Sequence, residues 1–143
     1  MSKQLRIELP DDWADISDQN PDGPVTFVWD DEEAQGALQI STAEYASGKT
    51  PAPTEQSLVQ FVTDFGLTHQ WGDLAHVGSG RCTMGLYGTA IFRGNGKESP
   101  GYCQLWMISN GSDFVFATFF ASGAVSPKEL ADAQQIAEEI DFR

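Results

Sequence analysis

The chain has 143 residues, with 21 Asp and Glu against 8 Lys and Arg for a formal net charge of −13. One core is expected at this length, large enough to bury about two-thirds of the unfolded surface without staples, so residues 1–143 are read as a single domain. Ten of the acidic residues fall in the first 33 positions, where only Lys3 and Arg6 oppose them, so that stretch carries −8. A field of this kind attracts cations and basic partners and repels phosphates, which argues against nucleic-acid or anionic-membrane binding.

The opening segment MSKQLRIELP carries two cations but no apolar run after them. It therefore reads as neither a signal peptide nor an anchor, and a cytoplasmic protein is expected. Next comes Asp18-Gln19-Asn20-Pro21-Asp22-Gly23, which places oxygen side chains at the first, third and fifth positions of a calcium loop and a glycine at the sixth. Trp29 stands where a bidentate glutamate belongs, and neither flank resembles a helix of such a motif. The same residues make a good type I turn, with proline pre-set at its second position, and that reading is preferred over a metal site.

A hairpin is predicted from Val25-Thr26-Phe27-Val28-Trp29 to residues 37–42, with Asp30-Asp31-Glu32-Glu33 at its tip. Four adjacent carboxylates are too crowded and exposed to divide acid and base roles, which needs one buried and one solvated member. They are a solvated turn or a binding patch. Asp30, Asp31, Glu32 and Glu33 are the candidate partner-binding residues. Trp13 and Trp29 are either core or an apolar anchor among those charges.

After a loop at residues 48–53, a helix is expected over 54–65. Thr54 caps it, Leu58, Val59, Phe61, Val62 and Phe65 recur at helical spacing, and Gly66 ends it. His69, His76, Cys82 and Cys103 invite a zinc hypothesis, but no C-x-x-C or H-x-x-x-H pair exists. On one continuous strand His76 and Cys82 would stand about 20 Å apart at the usual ~3.3 Å rise, although a turn at Gly78-Ser79-Gly80 would let them face each other. Two cysteines without an export signal read as reduced thiols. Neither a metal nor a cofactor is expected.

A strand is predicted over residues 83–92, followed by a Gly-rich loop through Gly94-Asn95-Gly96-Lys97. No Ser or Thr follows that lysine, so the loop fails as a phosphate cradle. Gly78-Ser79-Gly80 likewise lacks the spacing of a nucleophile elbow. Residues 102–121 form two aromatic-rich runs around Asn110-Gly111, a strong hairpin signal. If Ser109 faces Ser112, Met107 pairs with Phe114 and Leu105 with Phe116 on one face, while Trp106 and Val115 share the other. Both faces are apolar, so this pair belongs mid-sheet with something packed on each side.

The last helix, residues 126–140, opens on Ser126-Pro127-Lys128-Glu129, an N-cap serine with proline first and glutamate third. Its stripe is Leu130, Ala133, Ile136, Ala137 and Ile140. Strands joined by hairpins, with helices for both faces, predict an α+β fold, a mainly antiparallel sheet sandwiched between helices.

Leu9-Pro10-Asp11-Asp12-Trp13, the strand Gly36-Ala37-Leu38-Gln39-Ile40-Ser41, the middle helix, the aromatic hairpin and the closing helix together resemble the PsbP-like α/β/α sandwich. That fold is shared by an extrinsic subunit of photosystem II and a Ran-binding nuclear import factor. The resemblance implies a binding or accessory role, since members of the fold are mostly non-enzymatic. No manganese-cluster or Ran-contact residue maps onto this chain, so neither activity carries over. The expected function is a small non-catalytic protein-binding or accessory module whose acidic N-terminal region engages a basic partner. An immunity-type protein against a basic effector is one concrete version. The competing expectation is a ligand-binding or enzymatic pocket between sheet and helix, lined by Tyr87, Tyr102, Trp106 and Phe119.

Overall fold

The computed structural model describes residues 5–7, 9–16, 25–31, 36–43, 54–69, 72–94, 101–110, 114–121 and 127–142. The elements run β1 (Leu5–Arg6), β2 (Trp13–Asp15), β3 (Val25–Trp29), β4 (Gly36–Ala43), α1 (Glu55–Thr68), β5 (Asp73–Arg81), β6 (Leu86–Arg93), β7 (Tyr102–Ser109), β8 (Phe114–Ala121), α2 (Pro127–Glu138) and β9 (Asp141–Phe142). Seven strands form one sheet in the order β2-β3-β4-β8-β7-β6-β5, and β1 pairs separately with β9. Every pairing is antiparallel.

The aromatic runs take the middle, as their two apolar faces require. Every residue of β7 is buried. Trp106, Ile108, Val115, Ala117 and Phe119 face α2, where Ala133, Ile136 and Ala137 close over them. Cys103, Leu105 and Met107 face α1, under Leu58 and Val62. Each fully buried Leu, Ile or Phe side chain stabilises the fold by roughly 1.5–3 kcal/mol, so these two aliphatic-aromatic layers dominate its energetics.

The register of the central hairpin differs from the expected one by two residues. Ser109 pairs with Phe114, Met107 with Phe116 and Trp106 with Ala117. Four residues, not two, separate the last paired residues, Ser109 and Phe114, and of these Gly111, Ser112 and Asp113 lie outside the described residues. A slip of two keeps every side chain on its own face. The division into two faces therefore stands while the partners change. The β3–β4 hairpin forms as expected, with Val25 opposite Ile40 and Phe27 opposite Leu38.

One further feature departs from expectation. Helix α1 starts as predicted: Thr54 Oγ1 accepts from Ser57 N at 3.1 Å, and Ser57 Oγ accepts from Thr54 N at 2.9 Å. It does not stop at Gly66 but runs to Thr68. A Cβ on Gly66 would lie 2.2 Å from the Phe92 ring, so this glycine lets the helix approach β6 and does not end it. Of the two readings left open for residues 78–80, the continuous strand holds and the turn does not. These residues lie within β5, and the reversal falls later, where Cys82 and Gly85 exchange backbone hydrogen bonds at 2.9 and 3.1 Å. Gly85 takes a φ of +156°, and a Cβ there would meet Ser109 O at 2.5 Å.

Helix α2 begins at Pro127, the position its fixed φ suits. Ser126, its expected cap, lies outside the described residues. Glu129, in the first turn, is wholly buried, and its Oε2 accepts a hydrogen bond from Gly36 N at 3.2 Å. The helix is thereby joined to the start of β4.

Candidate binding site at the acidic edge

Strands β2 and β3 form one margin of the sheet, and Trp13 lies opposite Trp29 across their ladder. Both indoles are only 6% exposed, so they are core, not a surface anchor. A buried indole N–H needs an acceptor. That of Trp13 donates to Asp132 Oδ2 at 3.0 Å, and that of Trp29 donates to Asp12 Oδ2 at 3.1 Å. Two carboxylates brought together in this way need a cation, and Lys128 supplies it: its Nζ lies 2.8 Å from Asp12 Oδ2 and 2.7 Å from Asp132 Oδ2. The same ammonium sits 5.8 Å from the centroid of the Trp29 ring. Its hydrogen bond holds the Asp12 carboxyl below the usual range, and in return Asp12, then Asp132, push the Lys128 ammonium up to about 12. A lysine in the first turn of a helix opposes the helix dipole. The two carboxylates outweigh that cost.

This cluster locks the margin in place, and the exposed acids hang from it. Asp30 N donates to Asp12 O at 2.7 Å, and Asp31 N donates to Trp29 O at 3.0 Å. Asp11, Asp30 and Asp31 are exposed, so the loops before β2 and after β3 present their carboxylates together. Of the candidate partner-binding residues, Asp30 and Asp31 are placed here. Glu32 and Glu33 lie outside the described residues, as do Asp18, Asn20 and Asp22 of the calcium-like loop. Sequence reasoning missed Asp12, Lys128 and Asp132. The available signal was Lys128 four residues before Asp132, at a helix start that disfavours a cation.

The other candidate groups do not converge. His69 caps the end of α1, its ring 4.3 Å from that of Phe65, whereas His76 is exposed on β5. Cys103 is buried, and burial pushes its thiol up to about 12, so it stays protonated. Because β5 is continuous, His76 and Cys82 do not face each other across a turn. Among the described residues no three His, Cys, Asp or Glu side chains group so as to hold a metal ion.

Tyr102, Trp106 and Phe119 are buried between sheet and α2, and Tyr87 packs beside them. A polar network threads this layer. Tyr102 OH donates to Gln104 Oε1 at 3.0 Å, and Gln104 Nε2 donates to Thr89 Oγ1 at 3.0 Å and to Gln134 Oε1 at 3.1 Å. Trp106 Nε1 also donates to Gln134 Oε1, at 3.1 Å. Burial pushes the Tyr102 hydroxyl up to about 12. Above Gln134 lies an open groove of about 460 Å³ between the β5–β6 turn and the end of α2, walled by Arg81, Cys82, Thr83, Gln135 and Glu138. Its walls mix polar and apolar surface about equally, and the four aromatics are not among them.

The architecture has counterparts among solved structures. The cyanobacterial PsbP protein CyanoP of Synechocystis sp. PCC 6803 superposes with a TM-score of 0.61 at 14% identity, over 99% of this chain and 93% of that one. The fold is PsbP-like. LpqN of Mycobacterium tuberculosis, a protein involved in cell envelope biogenesis, gives 0.59 at 13% identity over 99% of this chain and 84% of its own. A Bacteroides thetaiotaomicron protein gives 0.56 at 16% identity; 97% of this chain matches, spanning 45% of that one. No protein-family model and no curated protein sequence matches this chain. Among the described residues no helix is long and apolar enough to cross a membrane.

Proposed function

We propose that this PsbP-like domain is a non-catalytic binding or accessory module, and that its acidic margin engages a basic partner. The observation that carries the reading is the presentation of Asp11, Asp30 and Asp31 at one margin, from two segments tied by the Asp30–Asp12 backbone bond and braced by Lys128. Carboxylates held on a rigid frame lose little freedom on binding a basic surface, and they speed the encounter through long-range attraction. An immunity-type protein against a basic effector fits this chemistry.

The test is capture of basic proteins or a Lys/Arg-rich peptide at low and at raised salt, with Asp30, Asp31, Glu32 and Glu33 all changed to Lys. Binding should fall with salt and vanish in the variant. Unchanged capture by the variant would remove this margin as the site.

A second reading rests on the groove beside Gln134. Its volume lies within the roughly 300–1,000 Å³ of small-molecule sites, and Gln134 connects it to the internal network. Ligand sites are mostly apolar, and these walls are not, so this reading ranks second. A small molecule that protects Cys82 from alkylation and raises the melting temperature would favour it over the acidic margin.

A further inference from the structure

The hairpin that carries Asp30 and Asp31 is not closed by its own ladder. Strand β3 runs to Trp29 and β4 starts at Gly36, yet their pairing ends at Phe27–Leu38, two residues short on each side. Cross-strand bonding therefore does not set how the two legs stand where the tip begins.

Each leg is held by something else. On the β3 side Asp30 N donates to Asp12 O at 2.7 Å, and Lys128 grips the Asp12 carboxylate at 2.8 Å. On the β4 side Gly36 N donates to Glu129 Oε2 at 3.2 Å. Lys128 and Glu129 are consecutive residues in the first turn of α2, so a single turn of helix secures both legs.

Glu129 is wholly buried, and withdrawing a carboxylate from water carries a cost that an apolar side chain of similar size would avoid. The positive end of α2 offsets part of it, and the Gly36 N–H supplies a hydrogen bond. Gly36 itself has no room to shift. A Cβ there would meet Phe120 O at 2.4 Å and the Phe119 ring at 2.7 Å, so its backbone is pressed against β8 while it is bonded to α2.

We infer that Glu129 is a positioning residue of the acidic margin: through Gly36 N it fixes the β4 leg, and with it the rigidity with which Asp30 and Asp31 meet a basic partner. The inference rests on the margin reading given above. Loss of the Glu129 acceptor frees one leg while the exposed carboxylates all remain, so long-range attraction survives. What disappears is their prior ordering, which must then be supplied on binding. That loss shortens the life of the complex and leaves the rate of encounter unchanged.

Comparison of Glu129→Gln with Glu129→Met tests this. Each removes one negative charge, but glutamine keeps an oxygen for Gly36 N and methionine does not. Glu129→Asp keeps the charge and draws the oxygen back by one methylene, which gives the same comparison in a second variant should the methionine one not fold. Two quantities are read: deuterium exchange of the Gly36 amide by NMR, and the association and dissociation rates of a Lys/Arg-rich peptide at low salt. Gly36 N–H should be protected in wild type and Glu129→Gln and exchange about tenfold faster or more in Glu129→Met and Glu129→Asp. The peptide should leave these last two about tenfold faster, with association within about twofold throughout. Equal protection of Gly36 in all four proteins would overturn the proposal. Folded Met and Asp variants that release the peptide no faster than Glu129→Gln would overturn it too, while leaving the margin reading intact. Wild type that fails to bind the peptide would remove the margin as the site and this proposal with it.

Discussion

Trp29 hands its indole N–H to the same Asp12 oxygen that Lys128 grips, so Asp12 is the joint through which β3 and α2 meet. Asp12→Asn would keep an acceptor for the indole but lose the ion pair, and its melting temperature should fall below that of wild type at neutral pH. The carboxyl is held below its ordinary 3.8. Its contribution is therefore full above that value and fades as the pH drops through the lowered one. The gap between wild type and variant should narrow on acidification below about pH 4, as followed by thermal melts. A constant gap would mean that the hydrogen bond, not the charge, holds the joint.

At the alkaline end the buried Cys103 and Tyr102 should set the limit. Burial raises their pKa values from 9.0 and 10.0 to about 12. A raised folded value means stability that is complete below the unfolded pKa and lost as pH climbs toward the folded one. Denaturant titrations should show loss starting near pH 9 and steepening above 10, with each group contributing up to about 1.4 kcal/mol per pH unit. In Cys103→Ala the onset should move to about pH 10, where Tyr102 alone begins to act.

Gly66→Ala sets two effects against each other. Alanine in a helix interior gains about 1 kcal/mol over glycine. Here the added methyl would sit 2.2 Å from the Phe92 ring, which is itself buried and cannot swing away cheaply. Overpacking typically costs about 1–3 kcal/mol. Net destabilisation is expected, and a rise in melting temperature would show that α1 can lift off β6 without penalty.

Gln134→Leu should test the polar network. It deprives both Gln104 Nε2 and Trp106 Nε1 of their shared acceptor. Each orphaned donor costs roughly 1–3 kcal/mol, toward the lower end if water can reach it from the groove. Denaturant melts should show the loss, accompanied by a shift in tryptophan emission.

What could be read from residues alone was whatever depends on periodicity. The two apolar faces of β7 and β8, the stripes of α1 and α2 and the cap at Thr54 all follow from local pattern. Long-range partners do not. Trp13 and Asp132 meet across 119 positions, and neither residue signals the other. Strand β5 was hidden because glycines and serine interrupt its pattern, and it is extended because β6 pairs with it. The hairpin register escaped because Asn110-Gly111 marks a reversal without stating its length. Of the candidate site, the crowding of carboxylates at Asp30 and Asp31 was visible in the composition, whereas the lysine that braces it comes from the far end of the chain.

Helix α2 touches both margins of the sheet. Lys128 in its first turn clasps Asp12, and Glu138 O near its end takes the N–H of Thr83 at the tip of the β5–β6 reversal. A twelve-residue rod pinned at each end in this way acts as a crossbar. Neither margin can fray far without loosening it, so its amides should exchange with deuterium only when the whole domain opens.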